Sequence, residues 1–267
     1  VLNSRLSRLI WPLLTLAGIG LLWLILTNAD TSTVRIIPTP GEVWAALLRN
    51  SQTLWTLHIP ATLIETLIGL ALALLLGIGL ALLLDWSTIA RQALYPILVI
   101  SQTIPIIALA PVLILIFGFG IEPKVTVVVL FCVFPITVNT LDGLTATAPD
   151  AGLLLQSMGA SRWQIWRKAR LPSALPGLFS GLRIATTYSV TGAIFGEYVS
   201  SNAGIGQYMR IAYASAHVDQ AFVAIAITAL LSIGLVGVVA GIERLVIPWH
   251  YAHLRTARWD QSAPELD

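Results

Sequence analysis

The sequence predicts an all-α integral membrane protein with about six transmembrane helices. Three observations carry that reading. Apolar residues make up 57% of the chain and charged residues only 10%, against about 25% charged in a soluble domain. The apolar residues come in long uncharged runs, and a water-soluble chain of 267 residues has no core large enough to hide them. Basic residues are spread unequally over the polar connections between those runs. The same composition excludes disordered and fibrous classes. A formal net charge of +2 is too small to point to nucleic acid.

The elements follow in order. Leu9 to Ala29 is uncharged, follows Arg5 and Arg8, and is long enough to span. More spans follow it, so 1–30 is expected to be a retained first span rather than a removed leader. Segment 31–60 is mixed and polar and is expected on the periplasmic side. In it Pro38, Pro40 and Gly41 mark a turn, and Glu42 to Leu48 suits a short amphipathic helix. Five further spans are expected within 61–249. Glu65 opens the second, which is uncharged from Thr66 to Leu84 and closed by Asp85. Gln92 to Ile121 is uncharged for 30 residues, too long for one straight span and too short for two with a loop. Pro96, Pro105 and Pro111 predict a short entry segment and then a kinked third span from about Val99 to Phe119. The fourth runs from Val125 to about Val138. Asn139 to Gly177 is the longest internal polar stretch. The fifth span runs from about Leu178 to Val199, Ser200 to Asp219 reads as a polar connection, and Ala221 to Ile242 is an uncharged sixth span. Residues 250–267 form a polar tail, expected to be cytoplasmic.

Orientation follows from lysine and arginine. With six spans and a cytoplasmic N-terminus, the inside holds eleven: Arg5, Arg8, Arg91, Arg162, Arg167, Lys168, Arg170, Arg183, Arg244, Arg255 and Arg258. The outside holds four, Arg35, Arg49, Lys124 and Arg210. Both termini are therefore expected in the cytoplasm.

The stretch from Ala148 to Pro172 carries the functional signal. Pro149 and Asp150 suit the first turn of a helix, and Gly159 suits its end. Ser161 with Gln164 reads as a capping box that starts a second short helix. Arg167, Lys168 and Arg170 crowd its C-terminal end, and Pro172 is expected to stop it. As an ordinary charged loop this stretch needs only the positive-inside bias. The pairing of Trp163 and Trp166 with basic residues also suits headgroup anchors, or a docking knob for a cytoplasmic partner.

Here the sequence resembles the membrane permease subunits of bacterial ATP-binding-cassette importers of the binding-protein-dependent type. Their cytoplasmic signature is Glu-Ala-Ala, three residues, Gly, nine residues, Ile, one residue, Leu-Pro. Gly159 and Leu171-Pro172 match it in spacing, whereas Leu153, Leu154 and Leu155 replace the Glu-Ala-Ala and Ala169 replaces the isoleucine. Gly159-Ala-Ser-Arg-Trp-Gln, Leu171-Pro-Ser-Ala-Leu-Pro-Gly, Gly181-Leu-Arg-Ile-Ala, Gly196-Glu, Gly204-Ile-Gly and Ile37-Pro-Thr-Pro resemble the nitrate, sulfonate and taurine branch. The resemblance covers about 35–249. It implies a type I importer permease fold, with a cytoplasmic coupling helix between spans four and five. It makes Gly159, Ala160, Ser161, Arg162, Trp163, Gln164 and Trp166, with Leu171 and Pro172, the contact with the ATPase. It also implies a second copy of the chain, two ATPase subunits that hold ATP and Mg²⁺, and a periplasmic or lipid-anchored substrate-binding protein. The substrate expected from the branch is nitrate, a sulfonate, taurine or bicarbonate. A pyrimidine vitamin precursor or a riboflavin-type molecule is the alternative.

Polar groups within spans often mark a pathway. Glu65, Gln102, Arg183, Thr187, Ser189 and Glu197 are the candidates for a pathway or gate. Thr186, Ser189 or Val190, Ala193 and Glu197 share one side at helical spacing. The bland alternative is that such hydroxyls bond their own backbone and small residues pack helices closely. No catalytic residue, bound cofactor or metal cluster is read from the sequence. Cys132 is alone, His58 and His217 are scattered, and no Gly-x-x-x-x-Gly-Lys phosphate loop is present. A membrane-embedded enzyme needs a cluster of ionisable groups, and a secondary transporter needs paired broken helices. Neither pattern is visible.

Overall fold

A computed structural model describes residues 2–29, 36–146 and 154–249. Arg35, the helix start at Pro149 and Asp150, Leu153 and the tail 250–267 lie outside the described residues. Within them every regular element is helical. We number these α1 (Leu2–Ala29), α2 (Pro40–Arg49), α3 (Ile59–Trp86), α4 (Thr88–Ser101), α5 (Ile106–Phe117), α6 (Glu122–Thr145), α7 (Arg162–Ile165), α8 (Leu171–Ser200), α9 (Ile205–Ala214) and α10 (Val218–Val246).

Among the described residues four helices are long and apolar enough to cross a bilayer: Ile10–Asn28, Ser51–Trp86, Glu122–Thr145 and Val218–Val246. The expected fifth span, α8, has 30 residues, or about 45 Å at 1.5 Å per residue. It has the length but a more polar sequence, and it is the hub of the fold, packed along α6, α10 and α3 and against α9. Its face toward α6 is lined by Gly177, Gly181, Gly192 and Gly196, two small-xxx-small pairs that let backbones approach. A Cβ at Gly181 would lie 2.5 Å from the Pro135 carbonyl oxygen, and one at Gly143 of α6 2.9 Å from Ala174 Cα. Between α3, α6 and α8 lies a core of Leu70, Ala73, Val128, Cys132, Ile136, Ala185 and Ala193.

Three sequence expectations need correction. The third span is not one kinked helix from Val99 to Phe119 but two helices, α4 and α5, broken at 102–105. Pro105 has no N–H and disfavours helix in the residue before it. The hydroxyls of Ser101 and Thr103 close the end of α4 by donating to the Leu98 and Ile100 carbonyls, at 2.7 and 2.8 Å. The fourth span passes Pro135 and continues to Thr145, because Ile136, Thr137, Thr140, Leu141, Gly143 and Leu144 form a buried face. The connection after α8 holds a helix, α9, which buries Ile205, Tyr208 and Ala212 on one face. The second, fifth and sixth spans also begin earlier than their apolar cores suggest, since α3, α8 and α10 start at Ile59, Leu171 and Val218.

Candidate functional site

Ser161 forms the capping box that its spacing predicts. Its Oγ accepts from the Gln164 N–H at 3.3 Å, and its own N–H donates to Gln164 Oε1 at 2.8 Å. Gly159 just before it has φ +83°, a left-handed conformation that a side chain strains. The short helix does not stop at Pro172. It runs through a wide helical turn, Trp166–Arg170, into α8. Pro172 stands in the first turn of α8, where its missing N–H leaves little unsatisfied. The wide turn takes up the change in hydrogen-bond register. The knob and the central helix are therefore one continuous rod.

The knob is exposed and apolar. Trp163 and Trp166 stack with centroids 5.1 Å apart and planes 14° apart. Trp163 is 63% exposed, Met158 75% and Leu154 62%. A patch of this kind suits a partner's surface or the headgroup layer of a membrane. Ala160 is half-buried, while Arg162 and Gln164 are exposed beside the pair. At the base of the rod Arg170 donates to Asp85 Oδ1 at 2.6 Å and to the Leu144 carbonyl at 3.3 Å. One guanidinium thereby ties the rod to the end of α3 and the end of α6.

At the opposite end of the helices lies a buried polar cluster. Lys124 of α6 donates to Glu65 Oε1 of α3 at 2.6 Å and to Ser201 Oγ at 2.8 Å. The Glu65 and Glu197 carboxyl groups are neighbours. Glu197 accepts from the Thr62 hydroxyl at 2.6 Å and from the Gly206 N–H at 2.7 Å. Thr62 Oγ1 accepts from the Ile205 N–H at 2.9 Å, and His58 Nδ1 donates to the Gly204 carbonyl at 2.9 Å. Gly204 has φ +108°, and a Cβ there would run into the Glu197 carboxylate. The cluster is a clasp that fixes the loop 201–206, and with it α9, to α3 and α8. Its groups hold backbone and each other.

Residues 73–249 match the family model of the binding-protein-dependent transport system inner membrane component. The chain belongs to that family. It is therefore a multi-pass permease subunit of an ATP-binding-cassette importer, resident in the inner membrane and working with an ATPase and a substrate-binding protein. Among its relatives is the formylaminopyrimidine transport permease ThiX of Halalkalibacterium halodurans, 41% identical over 80% of this chain and 86% of that one. The riboflavin transport system permease RibX of Chloroflexus aurantiacus is 36% identical over 91% of this chain and 93% of that one. The taurine permease TauC of Escherichia coli is 27% identical over 93% and 96%. The permease fold is shared with an amino acid ABC transporter crystallised with histidines, at TM-score 0.62 and 15% identity, over 75% of this chain and 97% of that one. It is also shared with the inward-facing MetNI methionine transporter, at TM-score 0.57 and 21% identity, over 79% and 98%.

The structure sorts the permease's expected pathway residues into separate places. Glu65 and Glu197 meet in the clasp. Arg183 pairs instead with Glu243 of α10 near the other end. Ser189 is fully buried and donates to the Thr186 carbonyl at 2.8 Å, which places it in packing. Thr187 is exposed on the open side of α8. Gln102 lies in the break between α4 and α5, its Nε2 3.5 Å from the Leu130 carbonyl. Sequence reasoning missed Lys124, read as a loop charge, and the partners Asp85 and Glu243, read as span ends. Their signal was an acid or base just past the apolar window, in the terminal turn of the helix.

Proposed function

We propose that this permease, as a dimer of two copies, imports a neutral heteroaromatic vitamin precursor or flavin. The observation that carries it is the gradient of likeness: the pyrimidine and riboflavin permeases are 41% and 36% identical, the taurine permease 27%. That gradient favours the alternative named from the sequence over nitrate, sulfonate, taurine or bicarbonate. Two partner ATPases supply the work, with ATP and Mg²⁺ in those subunits. The turn from Gly159 to Trp166 docks in them and moves α8 through the wide turn. Both termini and the knob face the cytoplasm, and the Glu65–Lys124–Glu197 clasp faces the periplasm, where the binding protein delivers substrate. The basic residues agree: Arg49, Lys124 and Arg210 gather at the clasp end, and Arg162, Arg167, Lys168 and Arg170 at the knob end.

The test is uptake by the complete transporter in proteoliposomes, with radiolabelled formylaminopyrimidine, riboflavin, taurine and nitrate offered separately. ATP-dependent uptake of a heterocycle, with taurine and nitrate left outside, is the expected result. Uptake of taurine or nitrate alone contradicts the reading.

A further inference from the structure

One side of α8 is left open by its neighbours. Ile184, Thr187, Tyr188, Thr191, Phe195 and Tyr198 fall on one side of the helix, Thr187 and Tyr188 adjacent and the rest three or four residues apart, all exposed or half-buried. Tyr188 is 46% exposed. It stands about 25 Å from the start of α8 and about 18 Å from its end, counted at 1.5 Å per residue. Tyrosines that meet lipid gather at the two interfaces, not at mid-depth, where a phenol hydroxyl needs a polar neighbour. Phe131 of α6 leans onto this side. Its ring is 6.2 Å from Tyr188 and 6.4 Å from Phe195, centroid to centroid, tilted by 34° and 18°. Thr191 and Phe195 also line an open pocket of about 270 Å³, together with Ile194, Met209, Ile225, Thr228 and Ala229.

The strip carries aromatic rings and hydroxyls but no charge. The cation at its lower edge, Arg183, is committed to Glu243. A nitrate or sulfonate would leave water for a surface that offers no counter-charge, at a large desolvation cost. A planar neutral ring would gain stacking on Tyr188, Phe131 and Phe195 and hydrogen bonds from tyrosine and threonine hydroxyls. We infer that this strip is the stacking wall that the transported ring passes, with Tyr188 and Phe131 as its specificity-determining residues. The inference rests on the heteroaromatic substrate reading above.

The experiment is uptake kinetics of the complete transporter in proteoliposomes, with formylaminopyrimidine, riboflavin and taurine as probes. Tyr188→Ala and Phe131→Leu are expected to raise KM for the carried heterocycle about tenfold, the loss that weakening one ring stack produces, with kcat much less affected. Tyr188→Phe keeps the ring and is expected to stay close to wild type. Thr191→Val, nearly unchanged in shape, serves if Tyr188→Ala fails to reach the membrane, and is expected to raise KM severalfold. A wild-type transporter that carries a heterocycle while these variants keep its KM overturns the wall and leaves the substrate reading standing. Variants that lose dimer recovery with KM unchanged make the strip a contact between copies and also overturn it. A wild-type transporter that carries only taurine removes the substrate reading and the wall together.

Discussion

The two ends of the α3–α6–α8 bundle solve the same problem, charges at the rim of a membrane protein, in opposite ways. At the clasp end Lys124 and Glu65 are nearly sealed, with side chains 10% and 5% exposed at 2.6 Å. Glu197 beside them is fully buried. At the knob end Arg170 is 33% exposed against Asp85, and Arg183 41% against Glu243. A sealed cluster cannot lose one member without stranding another in low dielectric. At the knob end only the guanidinium of each pair reaches water, while Asp85 and Glu243 are 9% and 2% exposed, so water can replace part of the contact but the carboxylate stays in low dielectric. The difference teaches where each end admits water: the clasp holds the loop and α9 in one sealed arrangement, and each pair at the knob end keeps its guanidinium in contact with solvent.

The largest effect is expected at Lys124. Lys124→Met leaves Glu65 beside Glu197 without the ammonium that pairs with Glu65. It should lower stability by about 3–5 kcal/mol, seen as a fall in the thermal midpoint of the detergent-purified protein. The double variant Lys124→Met/Glu65→Gln removes the stranded charge and should recover much of that loss. If the single and double variants melt alike, the clasp is not an electrostatic unit.

Gly204→Ala comes next. It adds strain at φ +108° and a methyl group against the Glu197 carboxylate. A cost of about 1–3 kcal/mol is expected, with faster proteolysis of the loop 201–206 as the local readout. Unchanged proteolysis would show that the loop is held by something other than Glu197.

Arg170→Ala should change stability least, by about 1 kcal/mol or less for a partly solvated pair. Its effect should appear instead in coupling, as ATP hydrolysis less stimulated by substrate. The exchange Asp85→Arg/Arg170→Asp should restore part of that stimulation, since the contact between the rod and α3 returns with reversed sign. A stimulation unchanged by Arg170→Ala would place the link elsewhere.

The regions differ in how much of them the sequence could reveal. The knob was legible because its chemistry is local. A capping box spans three residues, and a glycine before it is read from the same few letters. That Thr186, Ser189, Val190, Ala193 and Glu197 share one side of α8 was legible from their helical spacing, but not whether that side meets a pathway or packs; all five are buried. The clasp was not legible as a cluster. Glu65, Lys124 and Glu197 come from three helices far apart in sequence, and periodicity says which face a residue takes but not which helix it meets. The third span was misread because an uncharged run carries no marker of a break except its prolines, and only Pro105 stands at the break, while Pro96 and Pro111 lie inside helices. Pro172 misled in the other direction, since a proline in a first turn begins a helix as readily as it ends one.

The central claim is that the exposed turn from Gly159 to Trp166 joins the ATPase to α8. The most direct test is the amount of ATPase that co-purifies with Trp163→Ala and Gly159→Val, with membrane level measured beside it. The account predicts normal membrane level and clearly reduced ATPase in both, because an aromatic anchor is worth roughly 2 kcal/mol or more and a β-branched residue is strained at φ +83°. Full co-purification together with full substrate-stimulated ATP hydrolysis in both variants would contradict it.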